Sequence, residues 1–288
     1  MGTILALAAA MLYGSADFLG GTAARRARPL AVLAITTPAG AVITVVAAAV
    51  AGAAGLGGSG LPGPAGLAWG AAAGAAGTAG LLMFYTGFSM APMSVVAPIS
   101  ALASALLPLG VAIAQGERPG PLVIAGGAIC LVAVVLVSLE RKSEERTAAA
   151  RLRGLGYGLA SGIMFGLFFL FFRSAGASGV LWPVAVARLA GTAIVFAACL
   201  AAWVRPAWRG SAPGALPLAL ASGTVDASAN ICYVLATRTG LFGIAVVITA
   251  LYPGMTVLLA RFVLGERMRW PQRIGLVLAG AGLVLVTI

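Results

Sequence analysis

Apolar residues run through this chain in stretches of about 20, separated by short breaks rich in Gly, Pro or Arg. Within each stretch they are continuous, not alternating. A membrane-spanning strand needs alternation, whereas about 20 continuous apolar residues make a helix that crosses the hydrocarbon layer. Ten spans are predicted, at about 3–21, 30–50, 65–88, 91–114, 122–139, 154–172, 180–204, 215–237, 241–264 and 270–288. The breaks carry Arg25, Arg26 and Arg28 after the first span, an uncharged Gly/Pro loop at 52–64, and a charged stretch at 140–153 between the fifth and sixth.

One motif occurs twice among these runs. Gly116-Glu117-Arg118 stands between the fourth and fifth spans, and Gly265-Glu266-Arg267 between the ninth and tenth. Superposing the triads at an offset of 149 lays 91–139 on 240–288 without a gap, with 11 of 49 pairs identical. Identities among Ala, Leu and Val mean little in so apolar a chain. A charged triad at matching places means more, and points to a duplicated membrane unit. The expected organisation is a first five-helix unit at 2–139, a charged linker at 140–153 and a second unit at 154–288. The predicted fold is all-α and polytopic, with ten transmembrane helices. A unit with an odd number of spans, once duplicated, inserts its second copy upside down, so the two halves form an inverted repeat.

Composition agrees. The chain has 288 residues, 61% hydrophobic and only 9% charged, with mean hydropathy +1.07; a soluble domain carries about 25% charge. The net charge of +11 would suggest nucleic acid in a soluble protein. Here the basic residues sit mostly between spans, where they set orientation and meet anionic headgroups, so no nucleic-acid partner is expected. There is no His, which excludes His-ligated metals and His acid–base catalysis, and no cofactor or metal is expected. Cys130, Cys199 and Cys232 all fall inside apolar runs and are expected to be free thiols. No basic segment precedes the first apolar run, so that run is expected to be a span and not a cleaved leader.

Lys and Arg are divided unevenly, 13 in the odd-numbered loops and three in the even-numbered ones. The positive-inside rule then puts the odd loops in the cytoplasm and both termini outside. The expected location is the cell (inner) membrane.

Two five-helix units, each with an apolar helix, Gly-Glu-Arg and a closing Gly-bearing helix, resemble the EamA domain of the drug/metabolite transporter superfamily. Tyr13-Gly14 and Phe165-Gly166, at an offset of 152, are similar to the aromatic-Gly pair opening such domains. Arg188 matches an Arg often found early in a unit's second helix; the first unit has Thr36 there. The resemblance implies a ten-helix exporter of small metabolites, amino acids or drugs. It also implies both termini inside, opposite to the charge count.

Three ionisable residues lie well inside spans: Asp17, Arg188 and Asp226. A charge in hydrocarbon costs at least about 2.5–3.5 kcal/mol, so each is expected to face the bundle interior. At about 1.5 Å per residue the three fall in a slab about 10 Å thick near mid-membrane, with Arg188 and Asp226 close enough in depth to pair. One reading is a polar substrate site with a surplus carboxylate, able to hold a cation or a proton. The other is an ion pair that only locks packing, with Asp17 meeting Arg25 or Arg26.

Gly223, Asp226, Asn230, Tyr233 and Thr237 form a polar stripe along the eighth span. Its counterpart in the first unit is apolar, with Gly74, Gly77, Leu81 and Phe84. Asp17, in turn, is matched by Phe169. Such asymmetry suggests a cavity with two specialised walls. The candidate substrate-binding set is therefore Asp17, Arg188, Asp226, Asn230, Tyr13, Tyr233 and Tyr252. Phe165, Phe168, Phe169 and Phe172 form either an aromatic wall or plain packing. Gly70, Gly74 and Gly77 read as close helix packing. Pro98 and Pro253, in partner spans, are candidate gating hinges or static kinks. Glu117 and Glu266 complement the helix N-termini that follow them.

These features predict a secondary transporter of a small organic solute by alternating access, with a proton as candidate coupling ion. A flippase for lipid-linked substrates is the alternative. No ATP-binding motif and no catalytic constellation is present, so no enzymatic activity is expected. Monomer and homodimer remain open.

Overall fold

The computed structural model describes residues 1–55, 61–91, 93–116, 118, 120–137, 148–175, 181–201, 214–239, 245, 248–249, 251–264 and 270–287. These fold into ten helices: α1 (Gly2–Ala24), α2 (Pro29–Ala53), α3 (Pro64–Met90), α4 (Met93–Ala114), α5 (Pro121–Val137), α6 (Ala148–Ala175), α7 (Trp182–Ala201), α8 (Ala215–Thr239), α9 (Tyr252–Leu264) and α10 (Trp270–Thr287). No strand occurs among the described residues. Six helices (α1, α2, α3, α6, α7 and α8) are long and apolar enough over described residues to cross a membrane. Their outward surfaces are apolar: Leu200 is 79% exposed and Val50 62%. Water would not tolerate such faces, whereas lipid does.

The boundaries depart from expectation in two informative places. Helix α6 begins at Ala148, so the last six residues of the presumed linker 140–153 are helical. The predicted ninth span is not one continuous helix. Ala245, Ile248 and Thr249 are helical, Leu251 lies in a turn, and α9 starts afresh at Tyr252. The Leu251 N–H donates to the Ile248 carbonyl at 3.1 Å, and the Gly254 N–H to the Leu251 carbonyl at 2.9 Å. Pro253 therefore sits in the first turn of a helix, where a missing N–H costs nothing. It opens α9 and does not kink it. Pro98 does lie within a helix, α4.

The Gly of the first triad has a local cause. Gly116 takes φ +92°, and its N–H reaches the Ile113 carbonyl at 3.0 Å, ending α4 with a left-handed residue. Glu117, Glu266 and the rest of the second triad lie outside the described residues. Cys199 and Cys232 are free thiols, as expected.

Helix packing repeats itself. α1 packs on α8 and α3 on α6; α2 packs on α8 and α3 on α7; α4 packs on α6 and α1 on α9. Exchanging each helix for the one five places along turns the first member of each pairing into the second. The exchange maps two further pairings, α2 with α7 and α5 with α10, onto themselves.

The closest approaches are made by glycines, as expected where lipid offers no hydrophobic drive and helices associate by close contact. A Cβ on Gly74 of α3 would strike the Ala187 carbonyl oxygen of α7, and one on Gly223 of α8 would strike the Thr36 carbonyl oxygen of α2. Gly191 faces the Gly74 carbonyl across α7 and α3, just as Gly40 faces that of Gly223 across α2 and α8. These contacts pair Thr36 with Ala187 and Gly40 with Gly191, an offset of 151. The residue equivalent to Arg188 is thus Thr37, one position beyond the Thr36 that the sequence suggests.

The Gly74 contact predicts a stability difference. Gly74→Ala should destabilise the folded protein by about 1–3 kcal/mol, because the obstacle is backbone and cannot swing away. Gly156→Ala, with nothing near its Cβ position, should be neutral or stabilising by up to about 1 kcal/mol. Thermal unfolding in detergent measures both.

Candidate functional site

Where the helices converge they enclose a cavity of about 70 Å³, room for about five waters. Eight helices line it. α1 contributes Tyr13 and Asp17, α2 Thr37, α3 Gly74, Gly77, Thr78 and Leu81, and α4 Ser104. α6 contributes Phe165, Phe168 and Phe169, α7 Ala187, Arg188 and Gly191, α8 Asp226 and Asn230, and α9 Tyr252. Both halves therefore form its wall, while among the described side chains no lining residue comes from α5 or α10.

Arg188 Nη2 makes an ion pair with Asp226 Oδ2 across α7 and α8, the side chains 13% and 16% exposed. Asn230, one turn along α8, donates from Nδ2 to the Asp226 carbonyl oxygen at 2.7 Å. Thr192 Oγ1 donates to the Arg188 carbonyl oxygen at 2.8 Å.

Asp17 is buried, at 9% exposure. Among the described residues no cation pairs with it and no side chain donates to it. Its turn of α1 is held from two sides. Ser222 of α8 donates to the Ala16 carbonyl oxygen at 2.9 Å and lies 3.3 Å from the Tyr85 hydroxyl. Thr256 of α9 donates to the Gly14 carbonyl oxygen at 3.0 Å. Gly14 permits this approach, since a Cβ there would strike the Tyr252 carbonyl oxygen and stand 2.6 Å from Met255 Cβ. Asp17 and Tyr13 are thus presented by a clamped, close-packed turn.

The hydroxyls of Tyr13 and Tyr252 are buried and have no hydrogen-bond partner among the described residues; the Tyr252 hydroxyl is near Ser100 but short of bonding geometry. Thr249 Oγ1 is buried and unpartnered as well.

Residues 152–288 match the EamA-like transporter family. The second half of this chain belongs to that family. Together with the long apolar helices, the match makes the chain a multi-pass membrane protein. A solved crystal structure superposes on it with a TM-score of 0.78 at 19% identity, over 99% of this chain and 95% of that one. The fold of the EamA-like half and of the half preceding it is therefore shared as a unit with a known structure. No curated protein matches the chain.

Of the seven candidate binding residues, six face one cavity, although they come from four helices on both sides of the EamA-like boundary. Tyr233 does not. Its ring packs on Phe169 at 4.7 Å, inside a core cluster with Phe172 and Val184. Its hydroxyl is buried and without a partner among the described residues. On its face of α8, Asp226 and Asn230 meet the cavity and Tyr233 meets α6. The aromatic wall is split in the same way, with Phe165, Phe168 and Phe169 lining the space and Phe172 in the core. Pro253 is not among the lining residues, and the side chain of Pro98 lies outside the described ones. Sequence reasoning missed Thr37, Thr78 and Ser104.

The ion pair can be weighed directly. Arg188→Met alone should destabilise the protein by about 3 kcal/mol, because Asp226 is left buried without its cation. Arg188→Met with Asp226→Leu should recover most of that loss. Chemical denaturation in detergent of the wild type, Arg188→Met, Asp226→Leu and the double variant reads the coupling.

Proposed function

We propose that the protein is a secondary transporter that carries a small organic solute across the cell membrane by alternating access between two inverted five-helix halves. The observation that carries this reading is the cavity itself, charged, aromatic, and walled equally by both halves. A cavity at a repeat interface is where such transporters hold their substrates. The packing supports the inverted repeat, because exchanging the halves maps the most extensive helix pairings onto one another or onto themselves. Five helices per half give the copies opposite orientation. The EamA-like match over the second half supports transport as the activity. Export of a metabolite, amino acid or drug is the direction and range we favour. A proton is the favoured coupling ion, because Asp17 can bind one without breaking the Arg188–Asp226 pair.

Movement in this scheme opens the cavity to one side at a time. Pro98, inside α4, and the break before Pro253 at the start of α9 are the hinges we assign, since both interrupt helical hydrogen bonding in partner helices. The Lys and Arg distribution places both termini outside.

Two measurements test this. In proteoliposomes, a panel of amino acids, toxic analogues and cationic drugs identifies what the wild type moves. Asp226→Asn and Arg188→Ala should each slow that movement by at least about tenfold, a loss of about 1.4 kcal/mol. Unchanged rates in both variants overturn the site. Single cysteines engineered into loop 52–64 should react with an impermeant thiol reagent added outside cells, and those in 140–147 should not; the reverse pattern inverts the orientation.

A further inference from the structure

The charges facing the cavity do not balance. Arg188 and Asp226 neutralise each other. Asp17 is buried, lines the same cavity, and has no cation beside it among the described residues. A carboxylate enclosed by protein and lipid cannot stay ionised and unpaired without a cost of several kcal/mol. Something positively charged completes this site: a proton in the empty state, and a cation when it is filled.

We propose that the cavity binds a small organic cation, a protonated amine on an apolar body, with Asp17 as its counter-ion. The proposal names the substrate class of the transporter site above. It rests on that reading for its purpose, while its geometry stands by itself.

Three features choose the organic cation over its competitors. First, an anion finds no free positive charge, since the guanidinium of Arg188 is already committed to Asp226. Second, a hard inorganic cation needs about six or more oxygen ligands. The cavity lining holds two acids, Asp17 and Asp226, and no cluster of three or more acidic or thiol ligands fit for a metal occurs among the described residues. Third, the aromatic rings Phe165, Phe168 and Phe169 from α6 line the cavity together with Tyr13 and Tyr252. Such rings attract an ammonium group and accept its apolar body. The Tyr13 hydroxyl, buried without a partner, offers lone pairs to the N–H donors of an amine. Space for about five waters suits a small amine.

The arrangement also separates two jobs. Arg188 and Asp226 tie α7 to α8, and Asp17 stands on α1, whose carbonyls at Gly14 and Ala16 are held by α9 and α8. A cation on Asp17 therefore touches the element that both neighbouring helices grip.

The experiment uses the full chain in detergent and three probes of one shape: phenethylamine, 2-phenylethanol and phenylacetate. Binding is read by calorimetry and by the shift in thermal unfolding. Phenethylamine should bind at least about tenfold tighter than the alcohol or the acid. Asp17→Asn should weaken the amine by at least about tenfold, and Asp17→Glu should restore much of it. Asp17→Asn should leave the alcohol unchanged, which shows that the variant is folded. The inference is overturned by equal or tighter binding of phenylacetate, by unchanged amine affinity in Asp17→Asn, by stabilisation with sodium chloride alone, or by no amine binding at all. Solute transport without amine selectivity overturns this inference and leaves the transporter reading standing. Amine binding without movement of any solute does the opposite.

Discussion

Backbone touching backbone is the constraint on which this molecule depends. In lipid, an apolar side chain gains nothing by leaving one apolar surface for another, so helices hold together through close contact and the few polar bonds they can share. At Gly74 and Gly223 a carbonyl from α7 or α2 occupies the place a Cβ would take. Those two contacts pull α3 against α7 and α2 against α8; Ala187 is next to Arg188 in α7, and Gly223 lies one turn from Asp226 in α8. A methyl group at either glycine would force the helix pair apart and widen the space between Arg188 and its surroundings. The chemistry of the cavity is therefore set by residues that have no side chain.

Polar bonds then add direction to contact. Ser222 and Thr256 donate to carbonyls on the same turn of α1 from different helices, where many helix-borne hydroxyls of this chain simply bond the turn before them. Thr37, Thr44 and Ser104 do the latter. A hydroxyl that reaches across to a neighbour fixes the rotation of the helix it reaches. For α1 that rotation decides whether Asp17 faces the cavity or the lipid. The alternative considered from sequence, in which Asp17 meets Arg25 or Arg26 at the membrane edge, fails for this reason: a helix clamped at Gly14 and Ala16 turns Asp17 inward.

Much of this could be read in the chain before any coordinates. Continuous apolar runs located the helices, and the burial cost of charge brought Asp17, Arg188 and Asp226 to one depth. What stayed hidden has physical causes. The break before Tyr252 was invisible because Pro is compatible with both a kink and a helix start, and hydropathy does not distinguish them. The pairing of Arg188 with Thr37 was missed because the repeat offset changes by one or two residues between helices, and only contacts fix it. Thr37, Thr78 and Ser104 gave no signal, since Ser and Thr inside membrane helices are common and usually satisfied by their own backbone. Tyr233 packs on Phe169 and not into the cavity although it shares a polar stripe with Asp226, because a stripe cannot say which neighbour each of its residues meets.

Under the inverted-repeat reading we propose, the asymmetry between the halves has a physical meaning. Packing positions are shared between the halves: Gly74 with Gly223, Gly40 with Gly191. Cavity positions are not: the position matching Asp17 holds Phe169, and the position matching Arg188 holds Thr37. A residue needed for the architecture must do its work twice, once at each related contact, and so is the same or similar in both copies. A residue needed for a ligand serves a single asymmetric molecule, and one copy suffices. Two acids and one base, each without a counterpart in the other half, meet in a space built from paired glycines. That division between what is duplicated and what is not is the ground on which we propose Asp17, Arg188 and Asp226 as residues of a site and not of the scaffold.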